Sequence, residues 1–592
     1  MADRVYDRDI NDGRHARYAF GLQRRIPAWS GVLVACAIAY VAVGTILLRP
    51  ADFWSPDSAV RFVQVLSLEQ SGGKDFSVPY PAARLDPEGR FFPFGPWFHF
   101  VHNGRQYLSY PPYFPVAVAP LHRVFGPAGL LVLPIAAGLA AVLVTWGVLR
   151  SKTPWLAAPA ALALGVATPL LLYTTVFWDH SLTAALAAGT LALVVRALDE
   201  GDRPRPALLA WAGCSVGIGL WLRNEMYPFG AAVLLAWLWA ADRDRLRGAA
   251  AFLAGLILAA GPVWVLNTYL VGSPLGWKAG GLVAGRITGV LQAAAGRQSI
   301  AWVIDKLGNA YYQLISLDYY AFNPGAVLVG IAFASALVAT GVILRAGVAR
   351  KSERLVMMGG VLGVFVAMVI IVARTNVSGL LPAAPFLVLT GLPGPLSRWE
   401  RFLWGVVCVF TAAIIATGTH GGLQWGPRYL LPVLPALVWL AATGVARAWS
   451  ACPKTRVALA LAAGALVIAS ALLQGSGVDQ VAQRVTGNAR INAAVRAAPA
   501  AIVVTPLEWL TLNTGGVYFE KTLMLIKDPQ DLHAIVIMLA SQHVTRWTYI
   551  PFLGPFFNPR EVAQWTETGT WKFSTFDDRT SAGLRLVTFI GR

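Results

Sequence analysis

Asp57 stands in PADFWSPDSAVRF, just beyond the first hydrophobic segment of the chain and between a proline and the start of an apolar-periodic run. A carboxylate in that position can act as a general base on a hydroxyl delivered from the bilayer surface or from the aqueous side. Asp57 or Ser58 can equally do no more than cap a helix over 58–70. Asp52 and Glu69 are further acids of the same region. Asp179 and His180 sit side by side in VFWDHS (176–181), and an adjacent acid and imidazole can bind a metal, a sugar hydroxyl or a phosphate. In the plainer reading, Asp179 caps the next helix or His180 rests in the interface.

A second set of residues is cationic. Arg223 with Glu225 (WLRNEMY), Arg374 (VARTN) and Arg428 (WGPRYLLP) fall at ends of apolar segments where Arg is normally avoided, and Lys278, Arg286, Arg297 and Lys306 lie in a long loop on the same side. Cations placed against the orientation bias point to an anion at the membrane surface. A lipid-linked phosphate fits, because guanidinium matches its oxygens in bidentate fashion. Two simpler readings stay open: the Arg side chains snorkel to headgroups, or Arg223 is merely paired with Glu225. The chain has no Walker A loop, no HExxH and no CxxC pair, so an ATP-driven pump or a zinc protease has no support.

Bilayer-spanning elements must position these residues. Of 592 residues, 56% are hydrophobic and only 13% charged, more apolar surface than a water-soluble fold needs. Runs long enough to cross, at about 20 residues each, fall near 26–48, 126–149, 155–174, 181–199, 207–222, 227–241, 248–271, 324–344, 355–373, 379–396, 402–418, 429–446 and 457–474. The first is too long for a cleaved signal peptide and reads as a retained anchor. The formal charge of +18 resides largely in the amino-terminal segment 1–25 and in short loops such as RSK (150–152), DRDRLR (242–247), SRWER (397–401) and RAWSACPKTR (447–456). All of these fall on one side, which the positive-inside rule makes cytoplasmic. The charge therefore sets orientation, and nucleic acid is not an expected partner.

Three stretches on the opposite side are too long to be connectors: 49–125, 272–323 and 475–592. The first contains SAVRFVQVLSLEQ (58–70), with the periodicity of a helix lying in the interface, and two aromatic and proline-rich runs, FFPFGPWFHF (91–100) and YPPYFPVAVAPLHRVFG (110–126), suited to headgroup depth. The second contains an amphipathic run, 300–315. The last mixes expected strands at 501–505 and 585–590 with an expected helix at 528–542, a small extracytoplasmic α/β domain. The expected organisation is thus a cytoplasmic segment 1–25, a transmembrane module 26–474 and an α/β domain 475–592.

Taken together, SPDS (55–58), YPPYFPVAVAPL (110–121), FWDHS (177–181), LWLRNEMYP (220–228) and WGPRYLLPVLP (425–435) resemble, in kind and in order, the C-type (GT-C) glycosyltransferase superfamily, in particular its bacterial phospholipid carrier-dependent and dolichyl-phosphate-mannose-protein mannosyltransferase-like members. The resemblance covers about residues 26–450. It implies an all-α polytopic fold of about 13 transmembrane helices in the bacterial inner membrane. It also implies Asp57 as catalytic base, Arg223 and Arg428 as ligands of the carrier phosphate, and His180 near the site. Many relatives carry two adjacent acids where this chain has Asp57 and Ser58. The implied reaction moves a sugar from a polyprenyl-phosphate-linked donor to a glycan, lipid or protein acceptor on the extracytoplasmic face, with no cofactor required and a divalent cation at Asp57 and His180 left open. An outer-leaflet ligase or polymerase acting on diphosphate-linked glycans, and a lipid or sugar transporter, are the competing readings.

Overall fold

The computed structural model describes residues 28–48, 52–199, 205–242, 244–276, 300–317, 324–417, 424–551 and 572–591. Lys278, Arg286 and Arg297 lie outside the described residues. In chain order the elements are α1 (Ala28–Leu47), α2 (Pro56–Ser71), a hairpin of β1 (His99–His102) and β2 (Arg105–Leu108), α3 (Tyr113–Phe125), α4 (Gly129–Lys152), α5 (Pro154–Val166), α6 (Leu170–Thr175), α7 (His180–Asp199), α8 (Pro206–Leu222), α9 (Met226–Ala240) and α10 (Arg245–Val271). There follow α11 (Ile300–Leu314), α12 (Pro324–Ala349), α13 (Glu353–Val372), α14 (Leu380–Ala383), α15 (Arg398–Thr417), α16 (Leu434–Ala451) and α17 (Arg456–Arg496). Among the described residues, nine helical segments are long and apolar enough to cross a bilayer, and the shorter apolar helices α5, α8 and α9 lie between them.

The crossing expected at 379–396 is not an α-helix. α14 makes a single turn, and Pro385–Gly391 continues as a 3-10 helix. Pro385 removes the N–H that continuing the α-helix would direct to the Leu381 carbonyl. Irregular backbone at membrane depth is tolerated only where protein encloses it, and Pro385, Phe386, Leu387 and Leu389 are buried. Gln474 of α17 donates to the Ala383 carbonyl at 2.7 Å, and Ser470 Oγ accepts from the Phe386 N–H at 3.3 Å. Gly444 of α16 lets the segment pass: a Cβ there would lie 2.8 Å from the Leu389 carbonyl oxygen.

The charged loops meet at one end of this bundle. Lys152 pairs with Asp199 and lies over the Trp399 ring, Arg398 pairs with Asp242, Arg447 with Glu400, and the rings of Trp155 and Trp449 are 5.0 Å apart. α7 ends there at Asp199 and begins at the other end at His180, so Asp179 and His180 face away from the basic loops.

At that second end the chain departs from two expectations. α2 does not expose an apolar face: Ser58 through Val65, then Ser67 and Leu68, are buried. Its Val60 and Val63 join Phe92, Phe94, Leu108, Leu512 and Tyr518 in one apolar cluster. The aromatic run 91–100 therefore joins the first loop to the carboxyl-terminal domain, with Phe94 stacked on Tyr518 at 5.5 Å. The contact is close. A Cβ on Gly515 would stand 2.2 Å from the Ala59 carbonyl oxygen of α2, so only glycine fits.

α17 also runs beyond the crossing expected at 457–474. Its 41 residues make a rod of about 60 Å at 1.5 Å per residue. Past it come β3 (Ile502–Thr505), α18 (Glu508–Asn513), β4 (Thr522–Leu525), α19 (Pro529–Ser541), β5 (Arg546–Tyr549), β6 (Phe573–Ser581) and β7 (Leu584–Gly591). The sheet order is β4-β3-β5-β7-β6, with β3 parallel to β4 and β5, and β7 antiparallel to β5 and β6. The strands expected at 501–505 and 585–590 and the helix expected at 528–542 are present. Asp528 caps α19 through a reciprocal capping box with Asp531.

Candidate active site

Asp57 does not cap α2, and neither does Ser58. The cap is Ser55, whose side chain accepts from the Ser58 N–H, and Pro56 takes the first helical position, where no N–H is required. That division of labour leaves the Asp57 carboxylate to other partners. Tyr110, ahead of α3, donates its hydroxyl to Asp57 Oδ1 at 2.5 Å, and Arg428 donates Nη1 to Oδ2 at 2.8 Å. Arg428 opens the 3-10 helix Arg428–Val433 within the WGPRYLLP motif. Its guanidinium also donates to the Tyr429 hydroxyl at 3.1 Å and stands 5.0 Å from the ring centres of Trp178 and Tyr429.

A second carboxylate lies in the same cluster. Asp179 Oδ1 accepts from Arg61 Nη1 and from Arg223 Nη1, each at 2.9 Å. Arg223 in turn makes a paired contact with Glu225 Oε1, at 2.9 Å from Nε and 2.5 Å from Nη2. Arg61 is one helical turn along α2 from Asp57, and its guanidinium stacks over the Tyr110 ring at 4.7 Å. His180 is buried and packs edge-on against Tyr173 and Trp178, with ring centres 5.1 and 4.9 Å away.

Asp57, Asp179, His180, Arg223, Glu225 and Arg428 are therefore brought together. Arg374 is not: its ion pair is with Asp479 on α17, and more than half of its side chain is exposed. Lys278 lies outside the described residues. Asp52 is held by Asn492 Nδ2 at 2.5 Å, and Glu69 by His122 Nδ1 at 2.8 Å, so neither alternative acid enters the cluster. Sequence reasoning missed Arg61, Tyr110 and Tyr429. A signal existed for Arg61, a lone charge in the apolar run AVRFVQV four residues after Asp57. Tyr110 stands in a run read as an aromatic belt at headgroup depth, and Tyr429 in a motif read for its arginine.

The cations are not unopposed, and the pairing of Arg223 with Glu225 that the sequence left open is present. Three guanidinium groups, Arg61, Arg223 and Arg428, face three carboxylates, Asp57, Asp179 and Glu225. Burial pushes the Asp57 carboxyl up, but Arg428, the Tyr110 hydrogen bond, Arg61 and Arg223 outweigh it and hold the group below the usual carboxylate range. Burial and the Asp57 charge push the Tyr110 phenol the other way, well above its ordinary value, so it stays a donor. Four ring or guanidinium nitrogens in the cluster are buried without a hydrogen-bond partner: Nε of Arg61, Nε of Arg428, Nε2 of His180 and Nε1 of Trp178. Such orphaned groups cost free energy and call for a ligand. Among the described residues no group of three or more His, Cys, Asp or Glu is placed to hold a metal ion.

No family model matches the chain, and no curated protein does. Solved structures do. The chain is similar to ArnT from Cupriavidus metallidurans bound to undecaprenyl phosphate, with a TM-score of 0.50, 12% identity, and coverage of 95% of this chain and 98% of that one. The apo form of the same protein matches over the same coverage with a TM-score of 0.49. The likeness is one of fold.

Proposed function

We propose that this chain is a membrane glycosyltransferase that moves a sugar from a polyprenyl-phosphate-linked donor to an acceptor hydroxyl on the extracytoplasmic face, with Asp57 as general base. The observation that carries the reading is the Asp57 carboxylate itself, held in one orientation by Tyr110 and Arg428 and set among the buried Arg61 and Arg428 and the half-buried Arg223. The GT-C fold and the undecaprenyl phosphate bound to a protein of that fold support the donor class. The face follows from charge: the basic loops meet at the opposite end, and the positive-inside rule makes that end cytoplasmic.

In the proposed reaction the acceptor oxygen attacks the anomeric carbon and its proton passes to Asp57. The new C–O bond forms as the bond from the anomeric carbon to the carrier phosphate breaks, and the electron pair leaves on the phosphate. A carboxylate offers about four acceptor sites, and Tyr110 and Arg428 take two, so Asp57 keeps room for a substrate hydroxyl. The orphaned Nε groups of Arg61 and Arg428 supply donors for the charge developing on the phosphate. His180, Asp179 and Glu225 orient that set: the two acids fix Arg61 and Arg223, and His180 Nε2 offers a third polar contact. A single displacement of this kind inverts the anomeric centre and consumes no nucleotide.

The deciding experiment reconstitutes the purified full chain in liposomes with a panel of radiolabelled polyprenyl-phosphate sugars and a membrane extract as acceptor source. Transfer by the wild type and its loss in Asp57→Asn is the expected result. An Asn variant that transfers at the wild-type rate removes Asp57 from the role.

A further inference from the structure

The basic end of the bundle is not neutralised evenly. Around α4, α7 and α15 its cations have acid partners: Lys152 with Asp199, Arg398 with Asp242 and, from α16, Arg447 with Glu400. The turn between α12 and α13 differs. RAGVARKSER (345–354) holds four cations and one acid, Glu353, and Arg350, Lys351 and Arg354 are exposed with no ion pair among the described residues. The turn is tightly built. Lys351 is left-handed, with φ 53°, and the N–H groups of Lys351 and Ser352 bond back to the Val348 and Gly347 carbonyls at 3.2 and 2.8 Å, a helix stop that usually takes glycine. Lys454 is a further exposed cation, and its loop is fastened to the same turn by the Cys452 thiol, which donates to the Val348 carbonyl at 3.1 Å.

From these cations α13 and α17 run side by side in the same direction. A Cβ on Gly360 would stand 2.7 Å from the Ala462 Cβ, and one on Gly363 would stand 2.6 Å from Leu466 Cδ2, so the contacts advance together along both helices. Val361 follows Gly360 by one residue, and Leu461 precedes Ala462 by one. At about 100° per residue, opposite offsets on two parallel helices fall on the same side of their contact. Each helix continues that side as a stripe. On α13, Arg354, Met358, Val361 and Phe365 recur at i, i+4, i+7 and i+11; leading into α17, Lys454, Val457 and Leu461 recur at i, i+3 and i+7. All seven are exposed, Val361 by 64% and Val457 by 72%. Each stripe is therefore apolar along its length and cationic at its head. Helix stability does not explain Arg354, because the dipole disfavours a cation in a first turn.

We propose that the groove between α13 and α17 binds an anionic phospholipid, with the phosphate on Arg354 and Lys454 and the acyl chains along the two stripes. Guanidinium matches phosphate oxygens, and basic pockets between spans select anionic headgroups from the leaflet. Arg350 and Lys351, held on the rigid turn, add to the same field. The groove begins at the end of the bundle opposite Asp57, and neither the site nor its test depends on sugar transfer.

The test is native mass spectrometry of the full chain in detergent, titrated with dioleoyl phosphatidylglycerol and with dioleoyl phosphatidylcholine, which share their acyl chains. The wild type is expected to bind phosphatidylglycerol about fivefold or more tightly than phosphatidylcholine. Arg354→Gln/Lys454→Gln is expected to lose that preference. Arg354→Lys/Lys454→Arg is expected to keep most of it, which separates lost charge from lost folding. Arg245→Gln/Arg247→Gln removes two exposed cations from the same end of the bundle and is expected to leave the preference within twofold. Equal binding of the two lipids overturns the site, as does a preference that survives Arg354→Gln/Lys454→Gln. Equal loss in the two glutamine double variants also overturns it, since the end would then act only through its total charge. Displacement of the lipid by glycerol 3-phosphate overturns it as well, because the ligand would then be a soluble phosphate.

Discussion

Arg428 Nη1 lies 2.8 Å from Asp57 Oδ2, joining two residues 371 positions apart. The same guanidinium is sandwiched by contacts to Trp178 and Tyr429, so the pair is largely removed from water. A desolvated pair of this kind is worth little against a well-packed apolar substitute, but losing one partner strands a buried charge.

Arg428→Gln and Asp57→Asn, each alone, are therefore expected to lower the stability of the detergent-purified protein by about 3–5 kcal/mol. The double variant Asp57→Asn/Arg428→Gln is expected to recover a large part of that loss. Thermal unfolding of the four proteins gives the cycle, and strictly additive losses would show that the two side chains are not coupled.

The pH dependence follows from the direction of the Asp57 shift. A carboxyl whose folded pKa lies below its unfolded value of about 3.9 adds stability that is fully present above that value and is lost as pH falls through the lower, folded value. Transfer that depends on ionised Asp57 then survives below pH 5. Tyr110→Phe removes a hydrogen bond to the charged form and raises the Asp57 pKa, so the acid limb of kcat/KM moves up. An acid limb near pH 6.5 that ignores Tyr110→Phe would point to an imidazole as the titrating base.

Gly515 measures how firmly the carboxyl-terminal domain holds the Asp57 helix. A methyl at that position meets the Ala59 carbonyl, whereas one at Gly475 on α17 meets nothing within 4 Å. Gly515→Ala is expected to reduce transfer at least tenfold by displacing α2. Gly475→Ala is expected to leave it within twofold, and equal behaviour of the two variants would sink the coupling.

Transfer is expected to persist after dialysis against EDTA. Both Asp57 oxygens already accept hydrogen bonds, and each of the cluster's three carboxylates is already paired with a guanidinium, which a dication would have to displace. Abolition by EDTA with recovery on Mg²⁺ would assign the carboxylate to a metal.

Much of the transmembrane part was legible because hydropathy over about 20 residues is a strong and local signal. Segment 379–396 shows its limit: the apolar run was visible, but four prolines decide its conformation and enclosure by α16 and α17 makes that conformation tolerable. Asp57 and Arg428 could be singled out as charges in unexpected places. That they bind one another could not, because nothing local links positions 371 residues apart. The aromatic run 91–100 misled for the same reason: composition suits both headgroups and a domain contact, and only Phe94 against Tyr518 distinguishes them.

The long helix α17 has a consequence for biosynthesis. Its Asn488 and Asn492 clamp the Phe53 carbonyl and Asp52, immediately before the catalytic helix, and Arg428 precedes it by a single crossing. Asp57 leaves the ribosome early, whereas Arg428, its ion-pair partner, and Asn488 and Asn492, which hold the residues just before its helix, are translated in the last third of the chain. A nascent or prematurely terminated polypeptide therefore carries the acid without the means to aim it. On the proposed reading, transfer awaits the carboxyl-terminal third of the chain, and chain order itself ties activity to completed insertion.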